Sequence, residues 1–352
     1  MREELSLLAA EGLSHFDSHA HTGADLDGTV RTIEEHARDT EVLGGRSVVF
    51  PLHVDDGYAK ENRRVVAECA ARPDLFVPFA RLDPRVSAAA DAVDALSGGA
   101  RGFKLHPRSE GFRLDHPNVA EIVAVAAAER RPVLIHAGLG VGSFGQSLLE
   151  LARANREAPL ILAHAGVSDL AWLAPLVPEH PNLFFDTAWW IPTDLQALFA
   201  LVPPGRILFG SDAPYMDVAL LLALCLRCAR HSGLDDDAVA LVGGGQLDAL
   251  LAGEAAHDAG PAPGAPPLSP PRRRLGALLA GATGALAGGG DPSVPLELVA
   301  LAMEPEAEGE GSPSLLELVE LGSEASPESL PALALAAARV LAPVAGDAVV
   351  AA

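Results

Sequence analysis

The sequence predicts an α/β fold: a (β/α)8 TIM barrel followed by a low-complexity, largely disordered C-terminal tail. Three observations lead to it. Eight short β-rich runs alternate with amphipathic helical segments, metal-binding residue types gather where those runs end, and the composition changes near Gly260. Strand then helix, repeated, builds a parallel sheet, and eight repeats within ~250 residues suit one closed barrel. The predicted organisation is a lead-in over residues 1–12, the barrel over 13–256 and the tail over 257–352.

The strand candidates are 15–18, 47–52, 75–81, 102–106, 132–136, 160–164, 183–187 and 207–211. Between them lie helical segments such as 30–43, 59–71, 87–96, 119–130 and 147–155. An open doubly wound sheet is the alternative. It needs a Gly-rich nucleotide turn after its first strand, and His19 to His21 stands there instead.

The tail differs in kind. All eleven Phe, three Trp, two Tyr and twelve His lie before Pro261, and no Lys, Cys, Asn, Gln or Ile follows it. Thirteen of the 28 prolines do. A segment without large rings has little to pack around and reads as linker or disorder, with short helices at 296–303, 314–321 and 330–341. A chain ending near Gly260 is therefore expected to fold alone.

Composition excludes several functions. With 49% hydrophobic residues the 352-residue chain can bury a sizeable core. Its 25 basic residues face 47 acidic ones, a net charge of −22, which is the wrong sign for a nucleic-acid partner. Cys69, Cys225 and Cys228 cannot make a disulfide framework and fit a reducing compartment. No export signal or transmembrane segment is expected, so the predicted location is cytoplasmic, with a small-molecule substrate as partner and a homo-oligomer compatible.

Barrels of this kind carry their chemistry at the carboxyl ends of the strands. The first strand ends in Asp17-Ser18-His19-Ala20-His21, where period-2 alternation turns both imidazoles the same way. Two converging imidazoles make half of a zinc site. Lys104 and His106 share a face on the fourth strand. His136 ends the fifth, His164 the sixth, and Ser211-Asp212 the eighth. A lone histidine after an apolar run is usually a satisfied core residue, and Ser-Asp is usually a helix cap. Five strand ends of this type together point to a metal.

Taken in order, His-x-His on strand one, His on strand five, His on strand six and Asp on strand eight, the chain resembles the amidohydrolase superfamily, in its amidohydrolase-related branch of metal-dependent hydrolases. The resemblance implies a divalent metal, zinc first, in one or two ions, held by His19, His21, His136 and Asp212. It implies that His164 binds a second metal or acts on substrate. Lys104-Leu105-His106-Pro107 is similar to the motif whose carboxylated lysine bridges two metals. All but two of the 25 basic residues are arginines, so Lys104 stands out. A charged lysine paired with Asp186 is the equal alternative. The family's closing Gly-Asn-Ala-x-Arg-Leu pattern is lost in 243–250.

The implied reaction is cleavage of an amide, ester or lactone by metal-activated water, with Asp212 and His164 as catalytic residues. The alternative is decarboxylation of an aromatic or muconate-type acid by the same ligands. A non-catalytic barrel with a partner-binding tail is the third reading, and the intact ligand set argues against it. Arg81, Arg108, Arg113, Trp189, Trp190 and Tyr215 follow strands and could hold substrate, with His106, Arg108 and Trp189 preferred. Cys225-x-x-Cys228 has no second ligand pair and is expected to pack against the barrel.

Overall fold

The structure is a computed structural model that describes residues 15–302, 319–320 and 329–342. The strands are β1 (Phe16–Ala24), β2 (Val30–Arg31), β3 (Arg46–Pro51), β4 (Phe76–Pro78), β5 (Ala80–Arg81), β6 (Phe103–Leu105), β7 (Val133–Ile135), β8 (Leu160–Leu162), β9 (Leu183–Asp186) and β10 (Ile207–Leu208). Around them lie α1 (Ile33–Leu43), α2 (Ala59–Ala71), α3 (Ala89–Ser97), α4 (Pro107–Glu110), α5 (Pro117–Ala128), α6 (Gly145–Ala154), α7 (Leu170–Leu173), α8 (Pro192–Leu201), α9 (Val218–His231), α10 (Asp236–Ala240) and α11 (Gln246–Ala252). Each predicted strand run overlaps an observed strand, with β1 running six residues beyond its predicted end; β2 is an added two-residue hairpin partner, antiparallel to β1.

The fold is mixed α/β with parallel pairing throughout the strand repeats. One sheet runs β2-β1-β3-β4 and the other β10-β9-β8-β7-β6-β5. Backbone hydrogen bonds cross both junctions. At one, β4 and β5 are halves of a single run parted at Phe79, whose N–H donates to Val49 (2.9 Å) while Ala80 donates to Gly102 (3.0 Å). At the other, Ser18 N–H donates to Phe209 (2.9 Å) and Asp212 N–H to His19 (2.8 Å).

Period-2 alternation sorts the side chains into layers. Val48, Phe50, Leu134, Ile161, Phe184 and Leu208 share an inner cluster, closed by Leu247, Leu250 and Leu251 of α11. The intervening Val133, Ile135, Leu160, Leu162 and Phe185 join the outer core beneath the helices. One step further along the inner face come Lys104, His136 and Asp186, so the pattern that fills the core also aims polar groups at one end.

The C-terminal region corrects one expectation. Helices α12 (Pro270–Ala287), α13 (Ser293–Ala302) and α14 (Leu330–Leu341) form there, and α12 and α14 pack on α8, with α14 also on α9. Leu333, Leu335, Val340 and Leu341 are buried, as are Leu275 and Leu279. Composition misleads here because Ala and Gly permit close helix approach without rings: Leu341 lies against Gly276, where any Cβ would clash. This second layer explains α9, in which ten successive residues from Leu220 to Ala229 are buried. A helix apolar all round must be covered on all sides. The predicted helices at 296–303 and 330–341 are present; the one at 314–321 lies almost wholly outside the described residues.

Two predictions follow from this packing. Truncation after Gly260 uncovers the apolar faces of α8 and α9, so the shortened chain should melt several degrees lower or aggregate; a truncated chain melting with full-length protein would contradict the packing. Second, burial holds His36 neutral, with its pKa lowered to about 4 from 6.5, while its Nε2–H donates to the His21 carbonyl (2.6 Å). The unfolded state protonates first, so this stabilisation is complete above pH 6.5 and lost as pH falls toward 4, at most ~3 kcal/mol. The stability advantage of wild type over His36→Gln should therefore shrink between pH 6.5 and 4.5 in denaturant titrations, whereas a constant gap would contradict it.

Candidate metal centre

Asp186, at the end of β9, is fully buried and accepts three hydrogen bonds. Its Oδ1 takes the backbone N–H of His164 (2.8 Å) and of Ala188 (3.0 Å). Its Oδ2 takes His19 Nδ1 at 2.7 Å. Burial opposes its ionisation, but His19 and His164 hold its pKa below the usual carboxylate range. An ionised carboxylate only accepts, so His19 Nδ1 carries a proton and Nε2 faces the site. A histidine so oriented by a carboxylate has the arrangement of a metal ligand.

His19 Nε2 lies 3.0 Å from Asp212 Oδ1 and 3.0 Å from Lys104 Nζ. His21 Nε2 reaches the same Asp212 oxygen at 3.0 Å. Ligand atoms of His19, His164 and Asp212 all fall within 4.8 Å of one another. Asp212 is held well below its usual pKa: burial works against this, and His19, His164 and the hydrogen bonds from His19 and His21 outweigh it. His21 is lowered to about 3, chiefly by burial, so its ring is neutral. Burial and Lys104 depress His19, yet Asp212 and Asp186 leave its pKa raised. A cation between these carboxylates is thus favoured, and a divalent ion would displace the proton that otherwise sits there. The donor set of imidazole nitrogens and a carboxylate fits zinc or a related ion.

His164 Nδ1 donates to the Ala188 carbonyl (2.8 Å), leaving Nε2 2.9 Å from His136 Nδ1. His136 therefore reaches the cluster through His164. Its ring stacks on His106 at 3.9 Å, and His106 also caps α4 by accepting from Ser109 N–H (3.1 Å). Lys104 is fully buried, and burial lowers its pKa to about 7, so a neutral amine is well populated near neutrality. Two site residues, His164 (φ 60°) and Asp212 (φ 61°), adopt the left-handed conformation that non-glycine residues avoid. Gly138 leaves room beneath β7 for the His164 ring, which a Cβ would meet at 2.8 Å.

The candidate substrate groups separate. Arg108 is exposed at this end and reaches the Leu139 carbonyl (3.4 Å). Trp189 lies edge-on to His164 (6.1 Å), tilts against Trp190 (4.4 Å) and donates to Asp194 (2.6 Å). Tyr215 bonds Asp25 (2.7 Å), with its ring edge-on to His21 at 5.5 Å between centroids. Arg81 is buried on Glu110 (2.7 Å), and exposed Arg113 pairs with Asp115 (3.0 Å). Cys225 and Cys228 are buried in α9, with pKa raised by burial.

The family model described as Amidohydrolase matches residues 16–245, which span every strand and every group above. This chain belongs to the amidohydrolase family. A search of curated proteins finds no match. Among solved structures, an amidohydrolase from Burkholderia multivorans superposes with a TM-score of 0.56 at 16% identity, covering 68% of this chain and 99% of that one. The 2,6-dihydroxybenzoate decarboxylase from Rhizobium gives 0.53 at 14%, covering 68% and 99%. A probable 2-pyrone-4,6-dicarboxylic acid hydrolase from Acinetobacter baumannii gives 0.52 at 14%, covering 68% and 100%. These likenesses establish the shared fold. No helix among the described residues is long and apolar enough to cross a membrane.

Sequence reasoning treated Asp186 only as a partner for Lys104 and overlooked Asp17. The Asp17 carboxyl accepts from the backbone N–H of His19 and of Ser211 (both 2.9 Å) and bonds Ser211 Oγ (2.5 Å), tying β1 to the segment after β10. Burial raises its pKa to about 7. Its signal was present in the motif Asp17-Ser18-His19 of this amidohydrolase. Removing the orienting carboxylate should weaken the metal without removing a ligand: Asp186→Asn should lower zinc affinity roughly 10–100-fold in competition titrations. Unchanged affinity would remove Asp186 from the site.

Proposed function

We propose that this amidohydrolase is a metal-dependent hydrolase that cleaves an amide, ester or lactone bond of a small molecule, inside a closed (β/α)8 barrel. Closure is supported by the hydrogen bonds across both sheet junctions. The function rests on one observation, the clustering of His19, His164 and Asp212 at the strand ends, with Asp212 the most exposed of the three.

When bound, a divalent ion supplies Lewis acidity and makes water acidic enough to ionise near neutral pH. His19, His164 and Asp212 would hold it, with His21 beside them and His136 behind His164. Neutral Lys104 is available for carboxylation and a second ion; as the ammonium it stays a counter-charge to Asp212 and Asp186. Ionised Asp212 accepts the proton of the attacking water as the new C–O bond forms. It returns that proton to the leaving nitrogen or oxygen as the old bond breaks. Arg108, exposed at the rim, would hold a substrate carboxylate, with His106 stacked on His136.

The aromatic wall of Trp189 and Trp190 beside His164 favours a second reading, decarboxylation of an aromatic acid. Lactones, esters, amides and aryl acids assayed in parallel separate the two: hydrolysis yields a new acid, decarboxylation yields carbon dioxide. On the substrate that turns over, Asp212→Asn should reduce turnover roughly a hundredfold or more. Near wild-type turnover in that variant would exclude Asp212 from proton transfer.

A further inference from the structure

The opposite pole of the molecule, at the amino ends of β7 to β10, holds a cavity of about 350 Å³. Arg130, Arg156 and Arg206 line it, with Phe184 and Leu250 as its apolar floor and Glu157 and Glu254 as its acidic members. In a chain of net charge −22, a lining of three arginines against two glutamates has the opposite sign to the whole.

The neighbouring arginines at this pole have structural work. Arg101 and Arg131 each donate to the Leu251 carbonyl (3.2 Å), satisfying the end of α11. The lining arginines differ. Arg130 pairs with Glu157 at 3.0 Å. Among the described residues, no carboxylate lies within ion-pair distance of Arg156 or Arg206. Arg206 is partly buried over the Phe184 ring (5.3 Å), and its polar contact is the Gly205 carbonyl at 3.4 Å. Burial disfavours its charge, and Asp258 offsets this only at longer range. A partly desolvated guanidinium over an aromatic floor is suited to a planar or tetrahedral oxyanion. The segment that follows the lining residues Ala255 and Ala256 is tethered: His257 N–H donates to Gln246 Oε1 (3.1 Å), and the His257 carbonyl packs against Gly205, where a Cβ would meet it at 2.4 Å.

We propose that this cavity binds a small anion carrying at least two carboxylate or phosphate groups, held by Arg206 and Arg156 at the pole remote from the metal centre. The volume suits a small organic acid or phosphate ester rather than a polymer. The claim does not depend on the catalytic reading.

The test uses the full chain. Melting temperature is followed against tricarballylate and inorganic phosphate, each compared with sodium chloride at equal ionic strength. Saturable stabilisation by one of them, beyond chloride, is expected, and the more effective anion identifies the group. Arg206→Gln and Arg156→Gln should each weaken the apparent affinity roughly tenfold, and Asp212→Asn should bind as wild type. If partly buried Arg206→Gln fails to fold, exposed Arg156→Gln decides alone. No effect beyond chloride, binding unchanged in the arginine variants, or binding lost only in Asp212→Asn would each overturn the proposal.

Discussion

One buried carboxylate organises the site. Asp186 is removed from water and remains ionised, a state that is costly unless every lone pair finds a donor. The His19 ring and the backbone N–H groups of His164 and Ala188 meet that demand, and in doing so join β1, β9 and the segment after β8. The tautomer of His19 and the anchoring of the left-handed turn at His164 follow from it. Gly210 permits the approach: a Cβ there would lie 3.1 Å from Asp186 and 3.0 Å from Ser18. Asp17 on β1 is a second buried carboxyl, holding His19 and Ser211 through their backbones.

Much of this was legible in the sequence because the strands obey a two-residue period. Leu134 then His136, and Phe184 then Asp186, each place an apolar residue in the inner layer and a polar one at its rim. Helix 59–71 was read to the residue for a similar reason: its buried Asn62, Val65 and Cys69 recur at helical spacing. Side-chain partnerships across strands were not legible. Nothing local says that Asp186 faces His19 rather than Lys104, because 167 residues separate the first pair and only the meeting of β1 with the segment after β10 brings them together. The same limit applies to His136, which the family resemblance assigns to the metal and whose Nδ1 lies beside His164 Nε2.

The tail shows the opposite failure. Absence of rings and branched Ile does not mean absence of packing: Leu and Ala on α12 and α14 cover α8 and α9. The counter-signal lay in the strand-and-helix region, in the run Val218 to Cys228, too apolar for a helix with one solvent face. The two poles also divide the chemistry. Imidazoles and carboxylates collect at the carboxyl ends of the strands, and arginines at the amino ends, so cation and anion sites can coexist without opposing one another.

The central claim is that His19, His164 and Asp212 hold a divalent metal. Anomalous scattering from a crystal, recorded on either side of the bound metal's absorption edge, tests this most directly. The account predicts a peak about 2.0–2.2 Å from a nitrogen of His19, a nitrogen of His164 and an oxygen of Asp212. Metal-supplemented crystals with no peak there, or a peak elsewhere, would contradict it.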